Sequence, residues 1–177
     1  MTLEELKYPI GKFESPKEFS AAVLNGFIDD IESFPSRIQN AVLHLDEAQL
    51  ETTYRPDGWT VKQVVNHCAD SHMNGLIRLK LGLTEIEPTI KPYKEALWAE
   101  LPDGKILPLD ASLNILKGVH SKWAFLLKSL DVQQFARKFF HPESEKNFSL
   151  FESTALYAWH GNHHLGHITT LVARKGW

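Results

Sequence analysis

The chain has 177 residues, 43% hydrophobic and 23% charged, which is enough to bury one core and too polar for a membrane protein or too apolar for a disordered one. Its formal net charge of −3, with no Lys/Arg block, argues against a nucleic-acid partner, which would need a basic face. The single cysteine, Cys68, rules out an intrachain disulfide and fits a reducing cytoplasm, and the opening MTLEELKYPIGKFE has the make-up of neither a signal peptide nor an anchor. One soluble, cytoplasmic domain over residues 1–177 is expected, with no membrane partner.

In chain order, Ser15-Pro16-Lys17-Glu18 reads as a capping box that opens a first long helix. Phe19, Val23, Phe27, Ile31 and Phe34 follow helical spacing, and Ile38, Val42 and Leu45 continue it past Pro35, which should kink or briefly break the helix. A turn at Asp46-Glu47-Ala48-Gln49-Leu50 and a loop at Arg55-Pro56-Asp57-Gly58 follow. Thr60 then caps a second helix whose stripe runs Val61, Val64, Val65, Cys68, Ala69, His72, Leu76, Leu79 and ends near Leu83. Residues 84–109 hold four prolines and form a long crossover, with a short helical piece at Lys94 to Leu101.

A third helix is predicted from about Asp110 to Leu130, with Leu113, Leu116, Val119, His120, Trp123, Leu127 and Leu130 on one side. Residues 138–148 suit a small hairpin. Ser149-Leu150-Phe151-Glu152 is a second capping box, opening a fourth helix that runs to about Arg174. The fold class is therefore all-α, a four-helix bundle with one long crossover between helices two and three. A short echo, Leu45-Asp46-Glu47-Ala48-Gln49 against Leu130-Asp131-Val132-Gln133-Gln134, suggests that each half is helix, turn, helix. Helices two and four then occupy equivalent places, and both carry histidine.

Four of nine histidines fall within eight residues of helix four, in YAWHGNHHLGHI. On a wheel of about 100° per residue, His160, His163, His164 and His167 lie at roughly 0°, −60°, +40° and −20°, one stripe. His160/His164 and His163/His167 both have the i,i+4 spacing of a metal-binding pair, and the spacing does not choose between them. A further ligand must come from a facing helix, where His67 and His72 are the candidates. Gly161 stands where an HExxH helix has its glutamate, so a general base is missing there; Asp70, three residues after His67, could orient that imidazole or act as a base.

The run Tyr54-Arg55-Pro56-Asp57-Gly58-Trp59-Thr60 through His67-Cys68-Ala69-Asp70-Ser71-His72, together with Tyr157-Ala158-Trp159-His160-Gly161-Asn162-His163-His164, resembles the YfiT family of metal-dependent hydrolases within the DinB-like superfamily. The likeness extends over nearly the whole chain, from Tyr8-Pro9-Ile10-Gly11 to Gly176-Trp177. The resemblance implies a four-helix bundle, often a homodimer, with one divalent metal held by His67, His160 and His164. It also implies that His163 and His167 line the pocket or serve structure, that His72 lies inside the bundle near the site, and that Asn66 is not a ligand. Three imidazoles leave a coordination position open, a catalytic pattern; zinc is the first choice and nickel next.

The expected function is a metal-dependent hydrolase that activates water for a small-molecule substrate. The alternative is an S-transferase using a low-molecular-weight thiol of the bacillithiol type, which needs no HExxH glutamate. A non-enzymatic metal-binding module ranks below both. Cys68 is expected to pack in the core, since it points about 100° away from His67. The residues Trp59, Trp98, Trp123, Tyr157 and Trp159 divide between pocket walls and core or dimer contacts.

Overall fold

An apolar stripe on a helix has to be buried, and four helices here are long enough to bury one against each other. The structure is a computed structural model that describes residues 1–177. In chain order the elements are α1 (Leu3–Lys7), α2 (Ala21–Val42), α3 (Glu47–Leu50), α4 (Val61–Thr84), α5 (Glu95–Trp98), α6 (Pro102–Lys105), α7 (Asp110–Lys128), α8 (Val132–Ala136), the strands β1 (Lys138–His141) and β2 (Lys146–Ser149), and α9 (Leu150–Lys175). The long helices α2 and α4 each pack against both α7 and α9. Around the bundle the order is thus α2, α7, α4, α9, and the two pairs joined by the shorter links, α2 with α4 and α7 with α9, stand on diagonals.

The two LDxxQ turns become the short helices α3 and α8, and each closes a capping box in which Asp46 or Asp131 accepts from the amide of Gln49 or Gln134 while the glutamine side chain accepts in return. The same device starts α4 at Thr60 and α9 at Ser149. Gly176, in the left-handed region at φ 69°, stops α9. The crossover carries α5 and α6 and is tied to the hairpin, where the Ile90 amide donates to Phe140 O at 3.0 Å and the Phe140 amide to Pro88 O at 2.9 Å. Buried Lys62 of α4 pairs with Glu47 and Glu51 and so holds the α3 turn down.

The first long helix starts later than its sequence suggests. Its N-cap is Ser20, and Ser15 instead donates its hydroxyl to Glu152 Oε1 at 3.0 Å, across the start of α9. Phe19 packs on Phe135 and Phe151, so residues 15–20 span the end of the bundle before the helix begins. Nor does Pro35 break α2, which is continuous from Ala21 to Val42. The missing amide of Pro35 leaves the Ile31 carbonyl without its helical donor, and His120 Nδ1 of α7 takes that place.

The core is divided in two. One apolar cluster holds Leu24, Ile28, Ile31, Leu76, Leu79, Trp123, Leu127, Leu150 and Ala158; the other holds Phe34, Ile38, Val42, Val61, Val64, Val65, Leu116, Ile168 and Leu171. Along α4, α7 and α9 the change of cluster falls at His72, at His120 and at the run from His160 to His167, so the histidines form a polar layer at mid-bundle. No helix is long and apolar enough to cross a membrane.

Candidate metal centre

The adjacent helices α4 and α9 bring His67, His160 and His164 together, with one ring nitrogen of each lying within 4.8 Å of the others. His67 Nε2 stands 3.2 Å from His160 Nε2. Two imidazoles on a tetrahedral ion with bonds of about 2.0–2.1 Å hold their nitrogens roughly 3.3 Å apart, so the observed spacing fits a shared divalent cation. Burial pushes the His67 pKa down to about 4, and the charge of His167 adds to this; burial also holds His160 and His164 well below the usual histidine range. All three are therefore neutral, with the lone pairs a metal requires.

One of these lone pairs is aimed by a chain of hydrogen bonds through all four long helices. His120 Nδ1 bonds to the Ile31 carbonyl, so that nitrogen must carry the proton. Burial lowers the His120 pKa to about 4, so the ring is neutral and its Nε2 accepts. His72 Nδ1, 2.7 Å away, must then donate, which makes His72 Nε2 the acceptor for His160 Nδ1 at 3.0 Å. His160 Nε2 is left as a lone pair facing His67. The tautomer of this histidine is thus set from α2, by way of α7 and α4, starting at the carbonyl that Pro35 releases.

The remaining histidines of α9, His163 and His167, line the same cavity as the three but are engaged with other partners. His167 Nε2 donates to Lys7 O at 3.0 Å and stacks on Tyr54 at 3.9 Å, which fixes the N-terminal segment against the bundle. His163 stacks on Trp159 at 4.5 Å and touches Tyr8. His72 is 1% exposed. Asn66 donates to Gly104 O and accepts from Ser112, so it pins α6 and α7 rather than facing the cluster. Cys68 is fully buried in the second apolar cluster, and burial raises its thiol far above the usual range.

One possibility raised by spacing, that Asp70 orients the His67 imidazole, is not met, and the missing helical glutamate finds an explanation. The Asp70 carboxylate makes no hydrogen bond to His67; burial, and then the charge of Asp103 of α6, push its pKa up to about 6. The absent glutamate at Gly161 has a steric cause. A Cβ there would stand 2.9 Å from the ring of Phe34, and that ring packs on both His72 and His120. The space of a zincin-type base is filled by the aromatic that supports the histidine chain.

Two cavities meet at His160. One, of about 370 Å³, is lined by Trp59, His67, His160, His164 and Trp159, with Asp57 and Glu95 as its only carboxylates. The loop that supplies Trp59 is closed by the Tyr54 amide donating to Trp59 O at 3.1 Å, and Asp57 turns it with φ 54°. The other cavity, of about 480 Å³, lies between α4, the crossover, the hairpin and α9; Ser71, Arg78, Tyr93, His141 and Tyr157 line it, and it shares His160 and Glu95 with the first. Sequence spacing pointed to none of Arg78, Tyr93, Glu95 and His141, because they come from four separate elements. His120 was legible only as a polar residue in an apolar stripe.

Comparison with known proteins bears out the resemblance read from the motifs. The profile of the DinB superfamily matches residues 31–168. Proteins of Bacillus cereus and of Bacillus thuringiensis subsp. konkukian, each provisionally named metal-dependent hydrolase, are 48% identical over 175 residues, spanning 99% of this chain and all of theirs. A Bacillus anthracis protein of the same name is 47% identical over the same span. Among solved structures, YfiT from Bacillus subtilis, described as a probable metal-dependent hydrolase with an unusual four-helix bundle topology, matches with a TM-score of 0.95 at 44% identity, over 98% of this chain and 99% of that one.

Proposed function

The chain belongs to the DinB superfamily, and on that premise we propose that it is a metal-dependent hydrolase whose divalent ion is held by His67, His160 and His164. The observation that carries this is three neutral imidazoles converging within 4.8 Å, with no fourth protein ligand in the cluster. A divalent ion held there supplies Lewis-acid chemistry, lowering the pKa of a water ligand and polarising the bond under attack. Imidazole donors suit zinc first and nickel next. His72 and His120 hold the His160 ring and its tautomer, while Trp59 covers one side of His67 at 4.6 Å. Glu95, in the wall of both cavities, is the group placed to accept a proton in place of the missing helical glutamate. We place the enzyme in the cytoplasm as a homodimer acting on a small molecule.

A second reading has its own observation. No carboxylate hydrogen-bonds any of the three histidines, and the space for a helical base is filled by Phe34. Three neutral imidazoles would leave a divalent ion its full positive charge, which could lower the pKa of a thiol ligand without a carboxylate hydrogen-bonded to the cluster. Thiol transfer to an electrophile is therefore the alternative reaction at the same three residues.

Elemental mass spectrometry of the purified protein tests the common part. About one ion per chain is expected, with most of it lost in His67→Ala, His160→Ala and His164→Ala while helix content stays near wild type. Full metal retention in any of the three overturns the ligand set. Glu95→Gln separates the two reactions: ester or amide hydrolysis by the loaded enzyme should drop by roughly 10²-fold or more, whereas thiol transfer should barely change.

A further inference from the structure

The larger cavity beside the centre is lined by three polar groups that each keep a buried atom without a partner in the protein. Arg78, on α4, donates to the Tyr157 hydroxyl at 3.1 Å through one terminal nitrogen, its Nε is buried without a partner, and its guanidinium forms no ion pair. The Tyr93 hydroxyl and His141 Nδ1, from the crossover and the hairpin, are likewise buried and unpartnered, and both line the same cavity. An arginine can only donate, a tyrosine hydroxyl and the N–H tautomer of a ring nitrogen can donate as well, and a buried donor left unpaired is costly, so these atoms around one cavity mark a place for acceptor oxygens. Of the other charges in the wall, Lys94 is paired with Glu143 at 3.6 Å on the exposed rim, and Glu95 is exposed at the border with the metal cavity. The inner part of the cavity is therefore positive and its mouth carries the negative charge.

We propose that this cavity is an anion subsite, in which Arg78, with Tyr93 and His141, binds a carboxylate of the substrate while the reacting end of the same molecule lies across His160 at the metal centre. The guanidinium fork suits a carboxylate better than an ammonium would, because it offers two parallel N–H donors. The hairpin and the crossover are tied to each other at Ile90 and Phe140, so Tyr93 and His141 are held in the wall of the same cavity as Arg78 without needing the ligand. The subsite rests on the proposed enzyme reading for its role in catalysis, but carboxylate binding itself does not require the metal.

The test is a titration of the protein with succinate and with its uncharged analogue succinamide, in metal-free and in zinc-loaded samples, followed by isothermal titration calorimetry in the wild type and in every variant. Saturable succinate binding in both samples, at least about tenfold tighter than succinamide, is expected. Arg78→Met should weaken succinate by about tenfold or more, Arg78→Lys by less, and Tyr93→Phe by a few-fold, with zinc stoichiometry and the amide spectrum of the bundle unchanged in all three. Equal binding of the two probes, an Arg78→Met variant that binds like wild type, or no saturable binding at all would each overturn the subsite. Loss of zinc stoichiometry in wild-type protein would instead count against the metal reading, and is measured in the same samples.

Discussion

His72 touches neither cavity, yet both of its ring nitrogens are engaged, by His120 and by His160. Removing it leaves the His160 Nδ1–H unsatisfied and its tautomer free, so His72→Leu is expected to weaken zinc binding by roughly 10–100-fold without unfolding the bundle, read by competition with a chelator. Unchanged zinc affinity would show that the chain does not orient the ligand. His120 lends itself to a pH experiment on metal-free protein. Its pKa falls from 6.5 to about 4 on burial, so between those values the unfolded chain binds a proton that the folded chain excludes. The stability it contributes is present above pH 6.5 and about 3 kcal/mol of it is lost as the pH falls toward 4. Denaturation midpoints should drop through this window, with a shallower slope in His120→Gln; an identical slope would refute the assignment. Neither residue's role could be read from the chain, because each occupies an apolar position of its helix and its partner lies on another helix.

Among the elements, α9 was legible from its capping box to its last turn, since local chemistry sets both ends: Ser149 with Glu152 at the start and Gly176 at the close. The start of α2 was not, because Ser15 satisfies the same sequence pattern as a cap but is drawn to Glu152 of another helix. Pro35 illustrates the same limit, since its helix persists where the released carbonyl finds a donor from α7. Helix packing also decides what Gly161 permits. Gly161→Ala must push Phe34 off His72 and His120, so a loss of about 1–3 kcal/mol is expected in denaturant titration, despite the better helix propensity of alanine. A neutral or stabilising outcome would mean that Phe34 moves freely and does not buttress the histidines.

For the whole molecule, the proposed ion joins α4 to α9 between the two apolar clusters, and any ligand that binds only the folded chain stabilises it. Zinc at a free concentration a thousandfold above its Kd should add roughly 4 kcal/mol, seen as a rise in the thermal midpoint that a chelator reverses and that His67→Ala abolishes. An unchanged midpoint in wild-type protein would show that the histidine layer does not hold zinc in the folded state. The two cavities belong to this scale as well. Arg78 and Tyr157 come from the bundle, Tyr93 from the crossover and His141 from the hairpin, so the larger cavity exists only once all three parts have docked.

The amino-acid order alone determined the four long helices, the crossover, the hairpin and the stripe on which four histidines share one face, because periodicity and capping depend on neighbours within a few residues. Family resemblance, not spacing, singled out His67, His160 and His164 from the pairs the helix wheel allowed. Tertiary structure alone decided that Asp70 makes no hydrogen bond to His67, that Phe34 fills the place of a helical glutamate, that Pro35 frees a carbonyl for His120, and that Arg78 Nε is left without a partner beside the site. Each of these depends on which side chain of a distant element fills a given space or answers a given donor, and helical periodicity carries no record of that.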